Sequence, residues 1–180
     1  MPIVACITSR WNSKRLPGKA LLKIQGKPLI RHIIDRAKQT KVDEVVVATT
    51  LSSPSIISYC IRNEIPYYAY QNEWDVLGRL NEVARSYKAD IIVYLWGDCP
   101  FIDPVKIDAG IEYFLKTHNY FFDPSQPVAI MDTSLLIALS TQKLSRHKME
   151  YIHDYIIKNV IKPVIEINTR EDLWRANGLL

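Results

Sequence analysis

Short apolar runs rich in β-branched residues alternate along this chain with segments in which apolar residues recur at three-and-four spacing. The runs at residues 3–8, 45–49 and 91–96 are too continuous for half-exposed antiparallel strands, so they predict three central, parallel strands. Residues 66–70 predict a further short strand. Strands that alternate with helical segments indicate an α/β fold, with a mostly parallel central sheet flanked by helices.

The helical segments begin at residues that favour the first turn of a helix. These starts are Pro28, Ser53-Pro54, Asp75 and Asp103-Pro104. The last of these helices is expected to end near Thr117, after which the pattern weakens. The later predictions are a loop at 118–126, a strand at 128–131, helices at 135–139 and 145–160, a strand at 164–167 and a short helix capped by Thr169 and Asp172.

Length and composition limit the classes of protein that this chain can represent. With 180 residues, 48% of them hydrophobic, it is expected to form one domain over residues 1–180. Its 23 basic and 19 acidic residues are interleaved, so no broad basic surface for nucleic acid is predicted. The three isolated cysteines indicate free thiols in a cytoplasmic protein. Neither a leader peptide nor an apolar run of about 18 residues is evident, so no membrane span is predicted.

A cationic segment follows the first predicted strand, with the sequence Ser-Arg-Trp-Asn-Ser-Lys-Arg-Leu-Pro-Gly-Lys over residues 9–19. In open parallel sheets, ligands bind beyond the carboxyl ends of the strands, so a loop that leaves the strand at Thr8 predicts a ligand site. The alternative is a solvated basic loop, the usual meaning of a charge run alone. Neither GxxxxGK[ST] nor GxGxxG occurs, which argues against kinases, GTPases and dehydrogenases.

The residue types in this segment suit a triphosphate. Gly18 and the small polar residues let backbone N–H groups approach a phosphate. The side chains of Arg10, Arg15 and Lys19 bring positive charge, because arginine can grip two phosphate oxygens and lysine supplies a compact point charge. The segment therefore predicts a site for a polyphosphate.

A carboxylate is predicted at the same edge of the sheet. Asp98 lies in Trp-Gly-Asp-Cys-Pro, directly after the third buried run. An acid that ends a strand beside a phosphate site is well placed to bind Mg²⁺, which prefers hard oxygen ligands and shares its shell with phosphates and water. The alternative is an ordinary turn, since Gly, Asp and Pro are common turn residues.

Several motifs in combination resemble the CMP-sugar synthetases, the cytidylyltransferases that activate Kdo and sialic acids. The most similar branch is the spore coat polysaccharide biosynthesis protein F type. The motifs are Arg15-Leu16-Pro17-Gly18-Lys19, Ile24-x-Gly26-Lys27-Pro28-Leu29, Asp75-Val76-Leu77-x-Arg79 and Gly97-Asp98-Cys99-Pro100-x-Ile102-Asp103-Pro104. The resemblance implies a GT-A-like, Rossmann-like nucleotidyltransferase fold and the transfer of CMP from CTP to a sugar or sugar acid, with release of pyrophosphate. By analogy with the family, it also suggests a homodimer.

The resemblance also implies roles for individual residues. It assigns the catalytic roles to Arg15, Lys19 and Asp98, and the nucleotide contacts to Thr8, Arg10, Ser13, Gly18 and Arg79. It implies that Asp98 carries Mg²⁺. His147 is a candidate contact for the sugar, because the relatives have a histidine near the position of His147.

The chain departs from the family pattern in its second half. It is short for the family after residue 117, where the relatives build sugar-binding and dimer-contact elements, so we expect a truncated second half. Asn168 stands where the family has a second acidic metal ligand, and its amide lacks the charge of a carboxylate. Asp132 could substitute as that acid, or could serve as a helix N-cap. Two alternatives therefore stay open, a nucleotidyltransferase with another acceptor and a non-catalytic nucleotide-binding relative.

Overall fold

The computed structural model describes residues 1–13, 16–123, 125–150 and 152–159. The strands are β1 (Ile3–Thr8), β2 (Lys23–Ile24), β3 (Lys27–Pro28), β4 (Glu44–Thr50), β5 (Tyr67–Tyr70), β6 (Ile91–Trp96), β7 (Phe121–Asp123) and β8 (Val128–Asp132). The helices are α1 (Leu29–Ala37), α2 (Pro54–Arg62), α3 (Val76–Ser86), α4 (Pro104–Thr117), α5 (Thr133–Ser140), α6 (Arg146–Glu150) and α7 (Ile152–Asn159). A short 3₁₀ helix covers Lys19–Leu21.

Within the described residues, the main sheet has six strands in the order β5-β4-β1-β6-β8-β7. Strands β5, β4, β1 and β6 are parallel, whereas β8 runs antiparallel to β6, and β7 antiparallel to β8. The α/β class and the three central parallel strands are therefore confirmed. The two antiparallel strands at one edge make the sheet mixed, which is common in α/β proteins.

One of the predicted elements in the second half differs from the structure. Part of the expected loop at 118–126 is strand β7, where Phe121 is 5% exposed and pairs with Ile130. The ring of Phe121 reaches the backbone of α4 at Gly110, where a side chain would collide with it. The predicted helix at 145–160 corresponds to α6 and α7, and residue 151 between them lies outside the described residues. The elements predicted after residue 160 lie outside the described residues.

Helices cover both faces of the sheet, and alternate residues of β1 contact the two sides. Ile3, Ala5 and Ile7 join a core with α1, α2 and α4, whereas Val4 and Cys6 join a core with α3, α5 and α7. With both faces covered, the ends of the strands are where side chains from several elements can meet a ligand. Within the described residues, no helix combines the length and the apolar character that a membrane crossing requires.

Acidic side chains cap three of the helices at their first turns. Asp75 accepts a hydrogen bond from the N–H of Gly78 at 2.7 Å, and Asp103 accepts one from Val105 at 3.0 Å. Asp132 accepts one from Leu135 at 2.8 Å, at the start of α5. Asp132 is therefore a helix N-cap, and its pairing with Ile91 places it at the opposite end of β6 from Asp98.

Candidate active site

A cleft of about 370 Å³ lies at the carboxyl ends of β1 and β6. Its lining includes the predicted residues Thr8, Arg10, Ser13, Lys19, Arg79 and Asp98. A larger cavity, of about 730 Å³, lies between α3 and α5 and contains none of them. We place the candidate site in the smaller cleft, because convergent charged groups distinguish a functional site better than volume does.

The ends of β1 and β6 bring the two predicted halves of the site together. Thr8 pairs with Trp96 in the parallel register, and the N–H of Gly97 donates to the carbonyl oxygen of Thr8 at 3.0 Å. A Cβ atom on Gly97 would lie 2.2 Å from that oxygen, so only glycine permits this approach. As a result, Nζ of Lys19 contacts Oδ2 of Asp98 at 2.6 Å, and the cationic loop and the carboxylate share one cleft.

The backbone of Trp11 organises the cationic loop. Its carbonyl accepts hydrogen bonds from the N–H groups of Ser13 and Gly18, both at 2.9 Å, and its own N–H donates to Oγ of Ser53 at 2.9 Å. Ser53 occupies the N-cap position of α2, as predicted, but its side chain does not cap the helix. The fully buried Ser53 hydroxyl instead holds the loop and bonds Thr50, a role that the sequence did not reveal.

Gly18 has a structural role that differs from the expected phosphate contact. Its φ angle is +70°, and a Cβ atom there would lie 2.8 Å from the indole ring of Trp11. Because its N–H already donates to the Trp11 carbonyl, that group is not directed at a ligand. Gly18 is absent from the cleft lining and shapes the loop in this structure, while its contact with nucleotide stays a prediction.

Arg79 supplies a buried cation at the cleft. Its side chain is 2% exposed, and Nη2 donates to the carbonyl oxygen of Glu73 at 2.7 Å. Among the described residues, its Nε has no hydrogen-bond partner and its guanidinium forms no ion pair. Burial lowers the pKa of Arg79, yet a guanidinium stays charged at neutral pH. A buried charge without a counter-ion favours an anionic ligand.

Arg10 is paired with acidic side chains from two other parts of the chain. Its Nη2 donates to Oε1 of Glu150 at 3.1 Å, and its Nη1 lies 4.0 Å from Oε1 of Glu73. Its guanidinium also lies 4.3 Å from the ring centroid of Trp74. Sequence reasoning missed Glu73, Trp74 and Glu150. Glu73 and Trp74 directly precede the Asp75 motif, and this adjacency could have identified them. Glu150 is 140 residues from Arg10, and nothing in the sequence indicated their contact.

Aromatic side chains line the β6 side of the cleft, and the thiol of Cys99 lies next to Asp98. Trp96 stacks on Tyr94 with the ring centroids 4.4 Å apart. Burial raises the pKa of Tyr94 to about 12, so its hydroxyl stays protonated at neutral pH. Burial likewise raises the pKa of Cys99 to about 11, and its Sγ lies 3.6 Å from Oδ1 of Asp98. A protonated thiol is a poor nucleophile, so this geometry gives no support for covalent catalysis by Cys99.

The remaining predicted site residues do not join the cleft in the described part of the chain. His147 is exposed on α6 and is absent from the cleft lining, which Glu150 of the same helix reaches. Arg15 and Asn168 lie outside the described residues. Among the residues that are described, no three or more His, Cys, Asp or Glu side chains group as metal ligands. Asp98 therefore fits a metal whose other ligands come mainly from phosphates and water.

Comparison with known proteins matches residues 4–162 to the cytidylyltransferase family. The chain is 34% identical over 169 residues to the 3-deoxy-manno-octulosonate cytidylyltransferase of Trichlorobacter lovleyi, covering 93% of this chain and 59% of that protein. It is 31% identical to an uncharacterized protein of Methanocaldococcus jannaschii, covering 88% of this chain and 68% of the relative. The chain thus spans about three fifths of the length of the curated cytidylyltransferases it matches.

Solved structures of similar fold agree with this match. A cytidylyltransferase from Leptospira borgpetersenii superposes with a TM-score of 0.80 at 28% identity, covering 89% of this chain and 72% of that one. A CMP:2-keto-3-deoxy-manno-octonic acid synthetase in complex with CTP superposes with a TM-score of 0.74, covering 89% and 86%. At 21% identity, the second likeness bears on the fold alone. The predicted nucleotidyltransferase fold is confirmed.

Proposed function

The chain belongs to the cytidylyltransferase family, and from that premise we propose that it transfers CMP from CTP to a hydroxyl group of a sugar or sugar acid, releasing pyrophosphate. The observation that carries the proposal is the buried guanidinium of Arg79 in a cleft shared with Arg10, Lys19 and Asp98. A triphosphate would supply the counter-charge that these cations favour. A sugar acid as acceptor is supported by the Kdo cytidylyltransferases among the relatives.

In this proposal, the cations of the cleft bind and stabilise the triphosphate. Arg79 holds the nucleotide at the floor, while Arg10 and Lys19 contact phosphate oxygens and the Ser13 hydroxyl donates a hydrogen bond. The acceptor hydroxyl loses its proton to solvent, and its oxygen forms a bond to the α-phosphorus as the bond from that phosphorus to pyrophosphate breaks. Negative charge that builds on the phosphoryl oxygens is stabilised by groups already in place, which is the main source of catalysis in phosphoryl transfer.

Mg²⁺ is part of the proposal, with Asp98 as the residue that would hold it. The Asp98 side chain is 44% exposed at the cleft, so phosphate oxygens and water can complete a shell around a shared ion. When bound, a divalent cation would neutralise charge on the phosphates. The 2.6 Å contact with Asp98 keeps the Lys19 ammonium in the cleft, from which it can turn to the phosphates.

The cellular setting is also proposed. A cytoplasmic location is supported by the free thiols of Cys6, Cys60 and Cys99. A homodimer and a role in polysaccharide biosynthesis rest on the family analogy. Light scattering on the purified protein tests the dimer, which predicts twice the mass of the chain.

The activity is tested by measuring pyrophosphate release from CTP, Mg²⁺ and a panel of sugar acids. We expect release with at least one acid, and its loss in Lys19→Ala and Asp98→Asn. Glu112→Gln is the matched control, because Glu112 pairs with Lys41 on the surface of α4 and should leave the rate unchanged.

Other outcomes separate the alternatives. Release with a different acceptor would support another nucleotidyltransferase, and CTP binding without turnover would support a non-catalytic relative. A protein whose melting temperature is unchanged by CTP, UTP, GTP or ATP with Mg²⁺, and which releases no pyrophosphate, would contradict the proposal.

A further inference from the structure

The cations of the cleft are not equally available to a ligand. Lys19 contacts Asp98 at 2.6 Å, and Arg10 contacts Glu150 at 3.1 Å. Arg79 forms no ion pair within the described residues, as noted above. Among the described cations of this cleft, a triphosphate therefore meets one without an ion pair and two that already have a carboxylate.

Glu150 lines the cleft from α6 and contacts Arg10 of the cationic loop. On the same helix, the Arg146 guanidinium lies 3.9 Å from the ring centroid of Trp74. The side chains of Arg10 and Glu150 are 26% and 19% exposed, so their pair is partly shielded from water. Shielding strengthens the attraction between opposite charges relative to a surface pair. The Glu150 carboxylate thus occupies a position on Arg10 that a phosphate group would need.

We propose that Glu150 competes with the triphosphate for Arg10 and so sets the affinity of the cleft for nucleotide and for pyrophosphate. The inference rests on the proposed function. An incoming phosphate must displace the carboxylate, and after reaction the carboxylate returns to Arg10 as pyrophosphate leaves. Glu150 acts through Arg10 and is therefore a positioning residue. Its effect falls on binding and product release, while the bond-making step depends on other groups.

The central experiment measures the dissociation constants of CTP and inorganic tripolyphosphate by calorimetry in the wild type and in Glu150→Gln. We expect both ligands to bind about three- to tenfold more tightly to the variant, the range for losing one partly shielded competing ion pair. In turnover, KM for CTP should fall by a similar factor, and inhibition by pyrophosphate should strengthen. A purely structural role for Glu150 would weaken binding instead.

A double-mutant cycle identifies Arg10 as the group through which Glu150 acts. In an Arg10→Ala background, Glu150→Gln should change the affinity for CTP less than twofold, because the competition no longer exists. Equal tightening in both backgrounds would mean general charge repulsion and would overturn the proposal. Glu112→Gln, which removes the same charge from a surface pair, should leave every constant unchanged.

A second variant guards against a folding defect. Glu150→Asp keeps the charge but shortens the side chain by one methylene, so it should lose the contact and also bind CTP more tightly. If the variants bind CTP as weakly as the wild type or more weakly, Glu150 is not a competitor, while the proposed transferase activity stands. If neither CTP nor tripolyphosphate binds the wild type or the variants, both proposals fail.

Discussion

Replacing Arg79 with methionine should leave the chain without nucleotide at least as stable as the wild type, while removing its response to CTP. Arg79 is 2% exposed, and among the described residues the one hydrogen bond of its side chain goes to the carbonyl of Glu73. Losing a bond from a charged donor costs about 1.5–3 kcal/mol. Removing a buried, unpaired charge also removes its desolvation penalty, which is roughly several kcal/mol. Methionine fills a volume similar to that of arginine, so it should leave no large cavity. The net expectation is a gain of about 1–2 kcal/mol in the free energy of unfolding, or about 2–8 °C in the melting temperature.

The response to nucleotide should change in the opposite direction. At a CTP concentration about 100 times its dissociation constant, the wild type should gain about 2.7 kcal/mol of stability. If Arg79 contributes about 3 kcal/mol of charge-assisted hydrogen bonding, Arg79→Met binds CTP about 100-fold more weakly. At the same CTP concentration, the variant should then gain only about 0.4 kcal/mol.

Thermal and urea denaturation with and without CTP measure both effects. Arg85→Met is the matched control, since Arg85 lies on the same helix but is exposed and pairs with Glu82. It should change the stability without nucleotide by less than about 0.5 kcal/mol and keep the full response to CTP. A loss of more than about 1 kcal/mol in Arg79→Met without nucleotide would refute the reasoning, because Arg79 would then be a structural cation.

Three further perturbations test how the cleft is built. Gly18→Ala should cost about 1–3 kcal/mol, because of the positive φ and the contact with Trp11, and should weaken CTP binding, as urea denaturation and calorimetry would show. Ser53→Ala should cost about 1–2 kcal/mol and raise KM for CTP by freeing the loop, whereas Thr40→Ala, which removes a remote hydroxyl, should leave KM unchanged. With its pKa near 11, Cys99 should react with iodoacetamide about 100-fold more slowly at pH 8 than a free thiol. The reaction should become faster as the pH rises, and mass spectrometry of the labelled peptide measures its rate. Equal KM values for both hydroxyl variants, or rapid labelling at pH 8, would contradict these assignments.

Local signals predicted the parts of the fold that depend on local physics. The continuous apolar runs of β1, β4 and β6 identified central parallel strands, because burial on both faces leaves no polar alternation. Asp75 and Asp103 could be recognised as helix caps from their position before a helical pattern. Strand β7 was missed because three residues are too few to display a period, and its pairing with β8 is decided by Phe121 packing on α4.

The cleft was predictable only where the residues follow a strand directly. The cationic loop and Asp98 both leave parallel strands, so topology brings them together without further information. Glu150 arrives from a helix 140 residues away from Arg10, and no sequence period reports such a contact. The buried hydroxyl of Ser53 resembled an ordinary helix cap, and its bond to the Trp11 N–H depends on tertiary packing.

Because Gly97 passes close to the Thr8 carbonyl, the sheet edge of the cleft tolerates little change in its geometry, whereas the side formed by α6 can vary. Because backbone atoms of two neighbouring strands fix the spacing between the cationic loop and Asp98, no side-chain substitution can widen that spacing without disturbing the sheet. The α6 wall is joined to the loop by the Arg10–Glu150 side-chain pair, so it can be redesigned residue by residue. Engineering a new acceptor preference should therefore begin on α6, with the sheet edge left as it is.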